Sequence, residues 1–504
     1  MSRTKNSIKN ITISILSKSG THISSFIYRT IFIYTLSVEY LGISGLFTNI
    51  LSFLSLVELG IGSAIVYCLY QPIAIGDNEK IKSYVKLYKQ IYFMIGVIIL
   101  VIGSLLTPYL SFFVTELPNI EGIQRIYLLY LLNFGISYFF LYATTIINAH
   151  QKSYITALIK DGALITVTII QCIVLLLTKD YQLVLVLQLL STIFMGILMT
   201  RVANHMYPYL KEKEVQPLEL KEKQNIKKNV LALIHHQIAS VIVFCTDNLL
   251  ISKLVGIIAV GLYSNYIMIT SVLSGFIAII TTSITASIGN LGVDSKVEHQ
   301  LCTFYEVFLF YALLGGSMSI CLYVLFQDFI VLWIGQSYLL STVAVGIIVL
   351  NFYLTLMRKA CLLVHDTNGL FWYSRYKPVV ESIVNLVMSI VLAKYYGIVG
   401  ILIGTTISTV TVCFWVEPYI IYKYVFKVSV ITYFKKYFLH TIKMVGLLMI
   451  ILFITNMFDT ALFFTFIMKM ITCTILIPIG VFVLFNRDED FKRLKKRFIK
   501  NKMF

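Results

Sequence analysis

Gly45-Leu46-Phe47-Thr48-Asn49 returns in near copy as Gly261-Leu262-Tyr263-Ser264-Asn265, 216 positions later, and each copy opens a long apolar segment. The recurrence reads as a tandem duplication of a membrane block. Internal repeats of this kind are a mark of transporters, whose sites lie near the bilayer midplane where the repeats meet. Two weaker echoes keep nearly the same offset: Lys5 to Asn10 resembles Lys223 to Lys228 at 218, and Lys179 and Lys394 close the fifth and eleventh apolar runs at 215. Chance similarity between apolar segments is the competing explanation, and it weakens as matches accumulate at one spacing.

The composition, with 58% hydrophobic and 13% charged residues and a mean hydropathy of +0.85, excludes a soluble protein with a polar exterior. Fourteen apolar runs are long enough, or nearly so, to cross the ~30 Å hydrocarbon layer, which takes roughly 20 helical residues each. They lack the alternation of barrel strands, and helices satisfy their own backbone groups in lipid. The expected fold is therefore an all-α integral membrane protein of about fourteen transmembrane helices. Two parallel six-helix lobes surround a central cavity, and two C-terminal helices follow. The domains are expected at 1–206 (N-terminal lobe), 207–224 (cytoplasmic linker), 225–430 (C-terminal lobe), 431–485 (two further spans) and 486–504 (basic cytoplasmic tail).

The net charge of +17 is sorted by topology. With the N-terminus in the cytoplasm, 33 of the 41 Lys and Arg fall on cytoplasmic ends or loops, four on outer loops, and four within spans: Lys18, Arg29, Lys160 and Lys469. That asymmetry is the positive-inside rule, so the basic excess explains orientation and attraction to anionic lipid rather than nucleic-acid binding. Both termini are expected in the cytoplasm. The polar stretch from Leu210 to Lys228 reads as a flexible connector. The stretches Gln71 to Gln90 and Gly292 to Gln300 read as cytoplasmic loops in matching places, candidates for short interfacial helices. The tail from Phe491 to Ile499 has apolar residues among cations and reads either as a helix on the inner membrane surface or as a solvated tail.

A charge inside a bilayer helix costs at least ~2.5 to 3.5 kcal/mol, so each needs a partner, an aqueous cavity or a route to the interface. Lys18, His22, Ser25 and Arg29 follow i, i+4, i+7, i+11, which places them on one face of the first helix. Shifted by 218, they fall on His236, Ser240, Val243 and Asp247. Two facing polar stripes would line a cavity. A structural ion pair between Arg29 and Asp247, or snorkelling of Lys18, is the alternative. Glu58, late in the second run, is a candidate proton or cation carrier, with helix packing beside Gly60 and Gly62 as the alternative. Lys160 and Asp161 point in different directions, and Glu381 has an interfacial position. The eight Cys form no disulfide framework or metal-ligand spacing, His235-His236 is a weak cue, and no cofactor motif or enzyme signature is present.

Several segments resemble the Wzx-type polysaccharide flippases of the multidrug, oligosaccharidyl-lipid and polysaccharide exporter superfamily. They are Val57-Glu58-Leu59-Gly60-Ile61-Gly62-Ser63-Ala64, Thr246 to Ile251, Val260 to Ser264, Lys377-Pro378 through Glu381 and Asn385, Gly397-Ile398-Val399-Gly400 and Gly404-Thr405-Thr406. The resemblance spans nearly the whole chain, and its specificity lies in the order and spacing of loose motifs. It implies export of an undecaprenyl-pyrophosphate-linked oligosaccharide across the bacterial plasma membrane for capsule, O-antigen or exopolysaccharide assembly, alongside a polymerase and glycosyltransferases. On this reading Arg29, Lys18, His22 and Ser25 bind substrate, and Asp247 and Glu58 are coupling carboxylates. The rival readings are a cation-coupled multidrug exporter of the same superfamily, and a membrane polymerase or ligase. The latter usually carries a large external loop, and none is visible here.

Overall fold

The computed structural model describes residues 3–499 except 56–57, 59–60, 115–117, 119, 151, 213–214, 219–223, 225–245, 295–296 and 459. The chain divides into two compact units, Met1–Gly261 and Leu262–Phe504. Among the described residues it is helical and carries no strand. Ten of these helices are long and apolar enough to cross a membrane, or eleven when a pair bent by 41° is taken as one span. Of the fourteen runs expected, the seventh lies largely outside the described residues.

The first unit begins with α1 (Arg3–Thr35), α2 (Val38–Leu54), α3 (Ile61–Ile75) and α4 (Asn78–Leu106). The expected second span is therefore two helices. Glu58 does not sit inside a continuous helix: it occupies a turn between α2 and α3, where its amide donates to the Ser55 carbonyl. The stretch from Gln71 to Gln90, expected as a loop or a short interfacial helix, is helical for most of its length but belongs to the longer helices α3, which runs through Gln71, and α4, which starts at Asn78. Asp77 caps α4 by accepting the Lys80 amide at 3.0 Å, which satisfies a donor that a helix start leaves orphaned. The unit continues with the bent pair α5 (Ile123–Tyr138) and α6 (Leu141–Ala149), then α7 (Ser153–Thr178) and α8 (Tyr181–Met206). Lys179 takes a left-handed conformation after α7 and Asp180 caps α8, so the two helices turn back on each other within two residues.

The connector after α8 is not free where it is described. Glu212 bonds the Lys82 ammonium at 2.5 Å, the Ser83 hydroxyl donates to the Gln216 carbonyl at 2.6 Å, and Leu218 is buried. Two of its polar groups, the Glu212 carboxylate and the Gln216 carbonyl, are thus met by the first turns of α4.

The echo that opens both apolar segments has a packing reason. A Cβ on Gly42 would meet the Ile257 carbonyl at 2.2 Å, one on Gly45 would meet Val260 at 3.0 Å, and one on Gly261 would meet the Val38 carbonyl at 2.7 Å. Lipid is as apolar as the side chains, so helices in a bilayer associate through close van der Waals packing, which small residues permit.

The second unit contains α9 (Ile257–Asp294), which begins just before the boundary, α10 (Val297–Ile334), α11 (Thr342–Met357), α12 (Lys359–Thr367) and α13 (Lys377–Tyr396). The expected loop at Gly292 to Gln300 is thus mostly the ends of two 38-residue helices. Next come α14 (Ile398–Ser408) and α15 (Phe414–Ile421), joined and followed by π-helical turns at Thr409–Cys413 and Tyr422–Phe426. Helices α13 and α14 meet backbone to backbone: Cβ atoms on Gly400 and Gly404 would lie 2.2 Å from the Leu392 carbonyl oxygen and 2.3 Å from Ser389 Oγ. Last are α16 (Ile431–Thr455), α17 (Leu462–Phe485) and α18 (Glu489–Ile499). The core of this region joins Leu309, Ile320 and Val324 of α10 to Met444, Leu447 and Ile451 of α16 and Cys473 and Ile477 of α17.

The described part of the basic tail is a helix that packs on this unit and leaves Lys492, Lys495 and Lys496 exposed. Helix α18 buries Leu494 and packs Phe491 against that core. Arg497 and Arg493 reach Glu306 at 2.5 and 3.8 Å, and Asp490 bonds both Arg493 and Lys436.

Candidate functional site

Helix α1 separates its faces. Along one, Ser17 donates to Asp161 of α7 at 2.5 Å, and Gly20 admits Ile165 at 3.1 Å from its Cβ position. Asp161 therefore has a bonded neighbour on another helix, one that its adjacency to Lys160 does not suggest. Away from that seam Lys18 and Ser25 are exposed, while His22 and Arg29 are half-buried. Near Arg29 lies a chain of hydroxyls: Tyr130 donates to Ser44 at 2.7 Å and shares a 2.5 Å bond with Tyr181, and the charge of Arg29 acts on Tyr28 and Tyr130. The Tyr181 ring packs edge-on against Phe32 and Tyr40, at 5.1 and 5.5 Å between centroids.

Glu58 has a different setting. Its carboxylate accepts a hydrogen bond from Tyr92 of α4, whose ring stacks on Tyr88 at 4.3 Å, and Tyr88 in turn accepts from Thr145 of α6 at 3.1 Å. Tyr138 of α5 lies 6.0 Å from Tyr92 between centroids, and its hydroxyl also acts on the carboxylate. A carboxylate in the break of a discontinuous helix, ringed by phenols, is placed where transporter helices often unwind to expose polar groups. Asp247 is half-buried in helical residues 246–254 of the same unit, whereas His236, Ser240 and Val243 lie outside the described residues. The structure thus puts Lys18, His22, Ser25 and Arg29 on one helix and Glu58 in a separate tyrosine cluster.

The second unit holds a charged cluster that the sequence reading did not assemble. Arg358, between α11 and α12, bonds Glu417 of α15 twice, at 3.0 and 2.6 Å, and reaches Glu381 of α13 at 3.5 Å. Lys377 completes it, 2.5 Å from Glu417 and 3.6 Å from Glu381. Two cations and two carboxylates cancel, and Glu417 is only 4% exposed. Lys377 and Glu381 stand at i, i+4, the spacing of a helical ion pair. Arg358 and Glu417 are separated from them by apolar helix, so no local pattern announces the contact. In the sequence only Pro418 marks the position; the π-helical turns on either side of Glu417, a kind of turn that collects at functional positions, emerge with the structure. Lys469, isolated in its apolar run, is answered by Asp328 of α10 at 2.6 Å.

These features define a multi-pass helical membrane protein with polar clusters buried inside its units, and solved structures of transporters share its fold. The lipid II flippase MurJ in an inward closed conformation aligns over 95% of this chain and 99% of its own, with a TM-score of 0.67 and 14% identity. A multidrug resistance MATE family transporter of the MOP superfamily in an inward-facing conformation aligns over 82% of this chain and 98% of its own, with a TM-score of 0.63 and 13% identity. A MOP superfamily transporter from Pyrococcus furiosus covers 85% of this chain and 98% of its own, at a TM-score of 0.55 and 12% identity. No curated protein sequence matches the chain. The model of the polysaccharide biosynthesis protein family matches residues 7–285, more than half of the sequence, and the chain belongs to that family.

Proposed function

We propose that this protein is a flippase. It carries an undecaprenyl-pyrophosphate-linked oligosaccharide from the cytoplasmic to the outer leaflet of a bacterial plasma membrane, with both termini in the cytoplasm. The reading rests on α1, which bears Lys18 and Arg29 on a helix that spends its other face on α7, in a chain of a polysaccharide biosynthesis family with a flippase fold. A pyrophosphate anion and a bulky glycan cannot cross hydrocarbon unaided, so a flippase needs cationic, hydrated surface open to lipid. Lys18 and Arg29 would attract the pyrophosphate, His22 and Ser25 would add hydrogen bonds, and the polyprenyl tail would stay in the bilayer.

Alternating access would rock residues 1–206 against 225–430. The driving force would come from an ion gradient or the membrane potential, worth ~2.3 kcal/mol per charge per 100 mV. Asp247 and Glu58 are the proposed coupling carboxylates. A cation-coupled drug exporter is the second reading, supported by the MATE-type fold. In a strain lacking the native gene, the wild-type chain restores polymer export, and Arg29→Ala and Asp247→Asn each reduce it at least tenfold. Intact export by both variants removes the site assignment. Drug resistance without export selects the second reading.

A further inference from the structure

Lys82, Lys86 and Lys89 recur at i, i+4 and i+7, and so share one face of α4. That face lines a cavity of about 230 Å³ within the first unit, closed by Tyr142 of α6, Asn204 of α8 and Glu212 of the connector. The three lysines have different situations. Lys82 forms the floor: its side chain is 4% exposed and its ammonium is held by Glu79 at 2.6 Å and Glu212 at 2.5 Å. Lys82 shares its one charge between these two carboxylates, so the positive charge offered to a ligand is that of Lys86 and Lys89. Lys86 and Lys89 are exposed to the cavity mouth and, among the described residues, form no ion pair. Lys89 lies 5.2 Å from the centroid of the Tyr142 ring.

Two ammonium groups one helical turn apart repel each other, and repulsion of this kind is relieved by an anion placed between them. The lining adds a phenol and a carboxamide that can donate hydrogen bonds. We propose that this cavity binds a phosphate group, for which lysines act as point-charge ligands. The group is supplied either by the headgroup of an anionic phospholipid or by a free phosphate or pyrophosphate. Basic pockets between transmembrane helices on the cytoplasmic side suit phospholipid headgroups. The placement on that side rests on the orientation proposed above; the binding chemistry does not. Because Glu212 and Gln216 tie the connector to the same turns of α4, the bound anion would also brace the connector where it leaves α8.

The test uses the purified full chain with two probes. Inorganic pyrophosphate is titrated calorimetrically in detergent, and phosphatidylglycerol retention is measured against phosphatidylcholine by native mass spectrometry from nanodiscs. The expected result is selective retention of phosphatidylglycerol, pyrophosphate binding, or both. Lys86→Gln/Lys89→Gln weakens it at least tenfold and Lys86→Arg/Lys89→Arg preserves it. Binding of phosphatidylglycerol alone assigns the headgroup, and binding of pyrophosphate assigns the free anion. If the double Gln variant does not fold, Lys89→Gln alone is expected to weaken binding at least threefold. Wild-type chain that binds neither probe, or folded Gln variants with undiminished binding, overturns the proposal. Binding without flipping activity keeps this site while discarding the transport reading.

Discussion

Arg358 anchors the charged cluster of the second unit, with two hydrogen bonds to Glu417 and a third contact to Glu381. Removing one member of a buried ion pair leaves an uncompensated charge and costs about 3 to 5 kcal/mol. Arg358→Ala is therefore expected to lower the thermal stability of the detergent-solubilised protein by several degrees, with Arg358→Ala/Glu417→Gln recovering part of the loss. A single variant as stable as wild type would show that the quartet contributes no stability. At this scale the sequence was partly readable. Intramembrane charges announce that partners exist, because the bilayer penalises them, but not which partners: Lys469 is answered by Asp328, 141 residues away, and Asp161 by Ser17, 144 residues away. Glu381 was expected at the interface, yet it belongs to a buried quartet with Arg358, Lys377 and Glu417, since depth in a helix bundle is not encoded in distance along the chain.

Among the helices, hydropathy located the spans well and their interruptions badly. The 41° bend between α5 and α6 falls inside apolar sequence, at Phe139 and Phe140, because a bend between packed helices needs no polar punctuation, whereas the interval between α2 and α3 holds Ser55 and Glu58 in an otherwise apolar run. In the other direction, the charged stretch with Glu79, Lys80 and Lys82 lies outside the apolar run yet is already part of α4, since a helix keeps its form where its side chains become polar. The tail, expected as an inner-surface helix or a solvated segment, is a helix with Leu494 buried and Phe491 packed against the core shared by α10, α16 and α17. Glycine spacing was the better guide. Gly400 and Gly404 were quoted for their order, and they mark the α13–α14 seam, where a Cβ at Gly404 would sit 2.6 Å from the Ser389 amide nitrogen. Gly404→Val must separate the two backbones and lose the Ser389 bond to the Ile401 carbonyl. It should reduce the yield of monodisperse protein and lower its melting temperature, whereas Gly446→Ala, with nothing within 4 Å of its Cβ position, should change neither. Equal melting of Gly404→Val and wild type would contradict the close packing.

On the scale of the whole molecule, the echo of Gly45 to Asn49 at Gly261 to Asn265 belongs to a chain whose fold is shared with flippases and multidrug transporters and whose family is that of polysaccharide biosynthesis proteins. The proposed transport cycle asks the two repeats to do different work with similar scaffolds. The first carries an exposed cation and a half-buried one on α1 and a phenol-ringed carboxylate at a helix break, and the second unit locks four buried charges into a neutral quartet. Fold and family therefore stand on extensive similarity, while the substrate stands on the chemistry of a few side chains. The direct test is reconstitution of the purified chain into liposomes with a fluorescent undecaprenyl-pyrophosphate-linked oligosaccharide, following its appearance in the opposite leaflet by quenching from one side. Wild-type protein should accelerate translocation well above protein-free liposomes, and Arg29→Ala should lose at least tenfold of that rate while keeping its fold. No acceleration by folded wild-type protein, or an Arg29→Ala rate equal to wild type, would contradict the account.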